Sequence, residues 1–179
     1  MNLLEVSFVF ISEGGAEMID QLIRQHGKRL YGLCKTLCVN SYDADDLYQE
    51  TWLKVVQHFS RYDETKDFEP WITRICVNNY RNRARRMNNS PIFDGFSSAE
   101  EKLAVMENVR KPDEKDFSHI HQEINKLPEK LRITIILFYF KDMDINKVSE
   151  ILKIPQGTVK SRLNKARNLL KEVLNESDL

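Results

Sequence analysis

Asp144-Ile-Asn-Lys-Val-Ser-Glu-Ile-Leu-Lys-Ile-Pro-Gln-Gly-Thr-Val-Lys-Ser-Arg-Leu-Asn-Lys-Ala-Arg167 is the stretch on which the fold turns. Asp144 is placed to cap a short helix with Val148, Ile151 and Leu152 on its inner face, because an Asp carboxylate accepts from the free N–H groups of a first helical turn. Lys153-Ile-Pro155 then supplies a sharp turn, with Ile154 pointing into a small core. In the helix that follows, Val159, Leu163 and Ala166 recur at spacings of four and three, the period of a buried helical stripe. Its other face shows Thr158, Lys160, Ser161, Arg162 and Lys165. This pattern predicts a helix-turn-helix whose second helix enters the major groove, where Arg or Lys reaches guanine edges and hydroxyls reach phosphates. The bland alternative is a helical hairpin with a cationic exterior.

Upstream, Ile120, Ile124, Leu127 and the run Leu131–Phe140 continue the helical pattern around Pro128. Residues 87–117 read instead as a linker: Asn88-Asn-Ser-Pro91, Gly95-Phe-Ser-Ser98 and Lys111-Pro-Asp113 are turn-rich. Eight acids against four bases between Asp94 and Glu123 make it acidic. Before it the pattern is helical again. Ile19, Leu22, Ile23, Leu30, Leu33 and Leu37 form one amphipathic stripe, broken at Asn40-Ser-Tyr42. Asp43 is read as the cap of a second helix running from Ala44 to about Phe59, with Leu47, Thr51, Val55 and Phe59 on one side. Arg61 to Asp67 reads as a loop, and Phe68-Glu-Pro-Trp71 opens a third helix ending near Arg86, with proline tolerated in its first turn. The expected fold is all-α: two small helical domains, 18–86 and 118–175, joined by the flexible linker 87–117.

Few glycines and prolines (6 and 5 of 179 residues) agree with a helical chain. Lys+Arg and Asp+Glu balance at 27 each, so no global field draws the chain to nucleic acid; the distribution carries the signal instead. Between Pro70 and Phe93 stand five Arg (74, 81, 83, 85, 86) and no acid, and between Ile151 and Lys171 six Lys/Arg and no acid. Each domain ends in a basic helix, the footprint of nucleic-acid binding. Cys34, Cys38 and Cys76 are an odd set with no secretory signal, which predicts reduced, buried thiols in a cytoplasmic protein rather than a metal site. The purine-rich codons implied by Glu13-Gly-Gly15 resemble a ribosome-binding sequence ahead of Met18, so residues 1–17 are read as an extra leader or arm, with Met18 as the expected start.

The run Pro155-Gln-Gly-Thr-Val-Lys-Ser-Arg-Leu163, preceded by Leu127-Pro-Glu-Lys-Leu-Arg132, resembles region 4 of bacterial sigma factors, above all the extracytoplasmic-function (ECF) type. Asp43-Ala-Asp-Asp-Leu-Tyr-Gln-Glu-Thr-Trp-Leu-Lys-Val55 resembles the polymerase-binding helix of sigma region 2, and Phe68-Glu-Pro-Trp-Ile-Thr-Arg-Ile-Cys-Val-Asn78, continuing to Arg85-Arg86, the helix that handles the −10 element. Pro70 stands where the family has a small or variable residue, and residues 1–17 have no family counterpart.

The resemblance implies a factor that binds core RNA polymerase and directs transcription initiation at promoter DNA. Asp45, Asp46, Gln49 and Glu50, on one side of a helix, are then the polymerase-binding set; without the resemblance, acids there merely solubilise and cap the helix. Tyr62 and Phe68, flanking the Arg61–Asp67 loop, are placed to form part of a pocket for an unpaired −10 base, with Asn78, Asn79, Arg81, Arg85 and Arg86 contacting DNA beside it. Thr158, Lys160, Ser161, Arg162 and Lys165 are the −35 readers. Trp71 is read as core. Threading of the acidic linker through a basic polymerase channel is likewise an implication of the family, as is an anti-sigma factor, often membrane-bound.

Three rivals stand beside this reading, and the intact recognition helix argues against one of them, an inactive sigma-like interaction module. A helix-turn-helix transcriptional regulator would bind an operator without core polymerase. An enzyme has no support: the histidines (26, 58, 119, 121) pair with no carboxylate cluster, and no phosphate-binding glycine loop is present. The expectation is therefore no catalysis, no cofactor, no metal and no small-molecule substrate.

Overall fold

The computed structural model of the chain describes residues 13–88 and 119–176, with side chains over 17–86 and 122–171. Most of the 1–17 leader and of the 87–117 linker read from the sequence lies outside the described residues. The chain divides into two compact units, and no strand occurs among the described residues.

In the first unit, α1 (Glu13–Leu37), α2 (Ser41–His58) and α3 (Phe68–Asn88) pack on one another, with a single 3-10 turn at Phe59–Arg61. Backbone helix thus begins five residues before Met18. The core is the meeting of three stripes: Leu30, Leu33, Cys34 and Leu37 from α1; Ala44, Leu47, Thr51 and Val55 from α2; Ile72, Cys76 and Val77 from α3. Met18 and Ile23, at the start of the α1 pattern, remain exposed.

Asn40, not Asp43, caps α2. The Asn40 backbone is extended and its Oδ1 accepts from the Asp43 N–H at 2.8 Å, while its Nδ2 donates to the Asp43 carboxylate at 3.0 Å. The helix therefore starts at Ser41, three residues earlier than Asp43 as cap would have it. Asp43 fills the third helical position, where a carboxylate answers the capping side chain and meets the positive end of the helix dipole.

The second unit holds α4 (His119–Lys126), α5 (Glu129–Ile135) continuing as a π-helical turn over Ile136–Phe140, α6 (Ile145–Leu152) and α7 (Gln156–Glu176). Ile133, Ile136, Leu137, Val148, Ile151, Val159 and Leu163 seal its core. The π turn widens the helix end and leaves Tyr139 and Phe140 exposed. Asp142 (φ 51°) then reverses the chain in the left-handed region, which Asp tolerates better than most residues.

Two outcomes test these local accounts. Asn40→Ala should cost about 1 kcal/mol, read in urea by tryptophan fluorescence, since both tryptophans (52 and 71) lie in the first unit; an unchanged midpoint would refute the cap. Lys153 closes α6 at φ 53°, so Lys153→Gly should stabilise the second unit by about 0.5–1 kcal/mol. Amide hydrogen exchange of α6 and α7 in the full chain checks this, and unchanged protection would count against backbone strain at the turn.

Candidate nucleic-acid and polymerase interfaces

In the second unit, the Asp144 carboxylate accepts from the Lys147 N–H at 2.8 Å and starts α6 as the sequence predicts. The turn is locked twice: the Ile154 N–H donates to the Ser149 carbonyl at 3.1 Å, and the Ser149 hydroxyl donates to the Ile154 carbonyl at 2.6 Å. Pro155 then offers its carbonyl to the N–H groups of Thr158 and Val159. It has no N–H of its own, so it enters α7 without losing a bond.

With Val159, Leu163 and Ala166 buried, α7 turns Lys160, Ser161 and Lys165 to solvent, and Thr158 and Arg162 are half-buried at the edge. The Ser161 hydroxyl donates to the Thr158 carbonyl at 3.0 Å. Two residues missed in the sequence reading share this outer face. Gly157 and Asn164 stand four and three residues from Ser161, both exposed. That 4–3 spacing, the complement of the buried stripe, was the available signal.

In the first unit, Asp45, Asp46 and Gln49 are exposed and Glu50 is half-buried. They line the side of α2 opposite its buried stripe. The acids are already restrained: Tyr31 Oη donates to Asp45 at 2.8 Å, Arg83 lies 3.3 Å from Asp46, and Lys54 lies 4.0 Å from Glu50. Tyr42 (83% exposed) and Leu53 (61%) flank Asp46 and Gln49 at helical spacing. This interleaved apolar pair went unread, although its 42, 46, 49, 53 period was legible.

The expected base pocket divides differently. Phe68 is a correction: only 6% exposed, it packs between His26, Trp52, Tyr62 and Trp71, with ring centroids 5.0 to 6.2 Å away, and so belongs to the core rather than to a pocket wall. Asn79 is a second correction. It is 1% exposed, and its amide faces the buried Thr51 hydroxyl at 3.5 Å, which in turn donates to the Leu47 carbonyl. The Asn79 side chain is enclosed between α2 and α3 rather than presented on the outer stripe of α3.

Tyr62 remains at the surface, half-buried against Trp71, with its hydroxyl donating to the Lys66 carbonyl and closing the loop. Partial burial, then the carboxylates of Asp67, Glu64 and Asp63, push its hydroxyl pKa up. Asp63 accepts from the hydroxyl and N–H of Thr65, which hold its carboxyl below the usual range. Asn78, Arg85 and Arg86 are exposed and Arg81 is half-exposed. Trp71, Arg74, Asn78, Arg81 and Arg85 follow one another at spacings of three and four, a single stripe along α3. Trp71 is only half-buried, because its helix position straddles the edge of the core.

Cys34, Cys38 and Cys76 are free and buried, with the Cys34 and Cys76 sulfurs 3.7 Å apart. The Cys76 thiol beside it, then burial, push the Cys34 thiol pKa up. Among the described residues no group of three or more His, Cys, Asp and Glu is arranged to hold a metal ion. No described helix is long and apolar enough to cross a membrane.

Residues 22–89 match the family description Sigma-70 region 2, and residues 119–170 match Sigma-70, region 4. The chain is similar to the ECF RNA polymerase sigma factor SigW of Bacillus subtilis, 26% identical over 175 residues that cover 93% of this chain and 94% of the relative. It is similar also to the RNA polymerase sigma-H factor of Pseudomonas aeruginosa, at 24% identity over 92% of this chain and 90% of that one. Among solved structures, CnrH in complex with the cytosolic domain of CnrY shares the fold with TM-score 0.65 at 20% identity, covering 97% of this chain and 95% of that one. The sigma factor RpoE of Bartonella quintana, in complex with the anti-sigma factor NepR, shares it with TM-score 0.65 at 22% identity, over 87% and 96% of the two chains. With both of its units matched in order, the chain belongs to the sigma-70 family, as a sigma factor of the extracytoplasmic-function type.

Proposed function

We propose that this chain binds core RNA polymerase through the outer side of α2, recognises the −10 element with the loop and basic stripe of its first unit, and reads the −35 element with α7. It thereby directs transcription initiation. The observation that carries the reading is the pairing of two basic helices, one inside a closed helix-turn-helix, with an acidic outer face on α2 in the same chain. A regulator that merely occupies an operator has no use for that third surface.

The parts divide by chemistry. Asp45, Asp46, Gln49 and Glu50 offer carboxylates to a basic surface, and Tyr42 and Leu53 add apolar area that desolvates the contact. Tyr62 with Trp71 presents aromatic surface beside the loop, and Arg74, Asn78, Arg81, Arg85 and Arg86 supply cations and amides for phosphates and base edges. In α7, Thr158, Lys160, Ser161, Arg162, Asn164 and Lys165 face the groove. The factor acts by binding alone, and bond-making belongs to the polymerase. It works where polymerase and chromosome are, in the cytoplasm. The domain bounds that serve this division are 18–86 and 118–175, with 87–117 as the tether. Control by an anti-sigma factor covering these surfaces completes the reading, in keeping with a solved relative whose partner is such a factor.

Run-off transcription with bacterial core polymerase on a library of upstream fragments tests the whole. Specific starts that appear only when the chain is added are expected; DNA binding without core binding or starts would hand the case to the operator-binding regulator. Gly157 gives a sharper check of the α7 surface. A methyl group there meets no atom within 4 Å, so the fold does not require glycine at this site. Gly157→Ala should leave thermal stability unchanged or raised, while weakening −35 binding where DNA backbone approaches the helix start; undiminished −35 binding would refute that approach.

A further inference from the structure

Arg83 stands in the basic run of α3 yet lies off the stripe formed by Arg74, Asn78, Arg81 and Arg85. It turns toward the first turns of α2, where its Nη2 donates to Asp43 Oδ1 at 3.2 Å and Asp46 Oδ2 at 3.3 Å. The Arg83 and Asp43 side chains are mostly covered (25% and 27% exposed), while Asp46 reaches out (67%). Asp43 is itself fixed by the reciprocal bonds with the capping Asn40. A continuous chain, Asn40–Asp43–Arg83–Asp46, therefore runs from the half-buried cap of α2 to the acidic face.

We propose that Arg83 is a positioning residue for polymerase binding, acting through Asp46. The inference rests on the reading of the outer α2 face as the polymerase surface. The Asp46 carboxylate is 67% exposed, and an ion pair with so exposed a group adds little to folding stability, so stability does not account for the Arg83–Asp46 bond. A guanidinium held by a covered carboxylate has few conformations left, and an Asp46 carboxylate bonded to it is restricted in turn. Ordering that a side chain has undergone before association is not charged against affinity afterwards. The same bond ties α3, which carries the DNA stripe, to the face that meets polymerase.

Charge alone predicts the opposite sign. Deleting a cation beside an acidic face strengthens its attraction for a basic partner, whereas positioning predicts that the deletion weakens binding. The experiment is a double-mutant cycle on the full chain, reading the dissociation constant for core polymerase without DNA. Asp46→Ala, Arg83→Ala and the double variant are compared with the parent, and tryptophan fluorescence in urea reports folding. Arg83→Ala is expected to weaken core binding about 2- to 10-fold, the cost of ordering one side chain on association. The double variant is expected to bind no more weakly than Asp46→Ala. Unchanged or tighter binding by Arg83→Ala, or losses that multiply in the double variant, would overturn the proposal while leaving the polymerase face standing. If Asp46→Ala itself binds core as the parent does, the reading of that face falls and the proposal falls with it. If Arg83→Ala does not fold, Asp43→Asn loosens the anchor of the same guanidinium and enters the same cycle with Asp46→Ala, judged by the same two outcomes.

Discussion

The buried stripe of α2 is the constraint on which the first unit depends. Ala44, Leu47, Thr51 and Val55 are sealed against α1 and α3, all four fully removed from water. Burying such a stripe fixes the rotation of the helix about its axis, because a slip of one residue would bring polar groups into the core. Once that rotation is fixed, Tyr42, Asp45, Asp46, Gln49 and Leu53 have one direction left to face. The outer surface of α2, proposed above to meet polymerase, is thus the remainder of a packing solution. The α3 stripe follows in the same way from the burial of Ile72, Cys76 and Val77.

The second unit obeys the same rule with a tighter turn. Asp144 caps one helix, Ser149 and Ile154 lock the reversal, and Pro155 opens the next, so α6 and α7 meet through Val148, Ile151, Val159 and Leu163. Presentation of α7 is consequently rigid where sequence-specific contact would be made. Base-edge hydrogen bonds tolerate little misplacement, which makes a locked turn worth the left-handed backbone at Lys153.

Polar residues were the ones that packing reassigned. Asn79 sits in a run that reads as cationic and amide-rich, yet the helix period places it one position beyond the outer stripe, where Thr51 accepts it into the interior. Phe68 flanks the loop in sequence but closes the aromatic cluster in space. Asp43 yielded the cap to Asn40 because either side chain can serve, and the extended backbone at Asn40 decided between them. Arg83 was counted among the cations of α3 on composition, and only its contact with two carboxylates of α2 separates it from that group.

What the sequence determined by itself was whatever depends on local order along the chain. Helix periods, the Asp144 cap and the turn at Lys153–Pro155 are written at separations shorter than two helical turns, where spacing translates directly into face. The two basic runs and the division into two helical units are written in the composition of contiguous stretches. The resemblance to sigma regions 2 and 4 was legible for the same reason, as contiguous runs. Tertiary structure decided which polar side chains face inward and which pairs meet across helices: Asn79 with Thr51, Arg83 with Asp43 and Asp46, Tyr31 with Asp45. Those contacts join residues 14 to 40 positions apart, and they exist only once hydrophobic burial has set the rotation of each helix, a condition that no single stretch of sequence states.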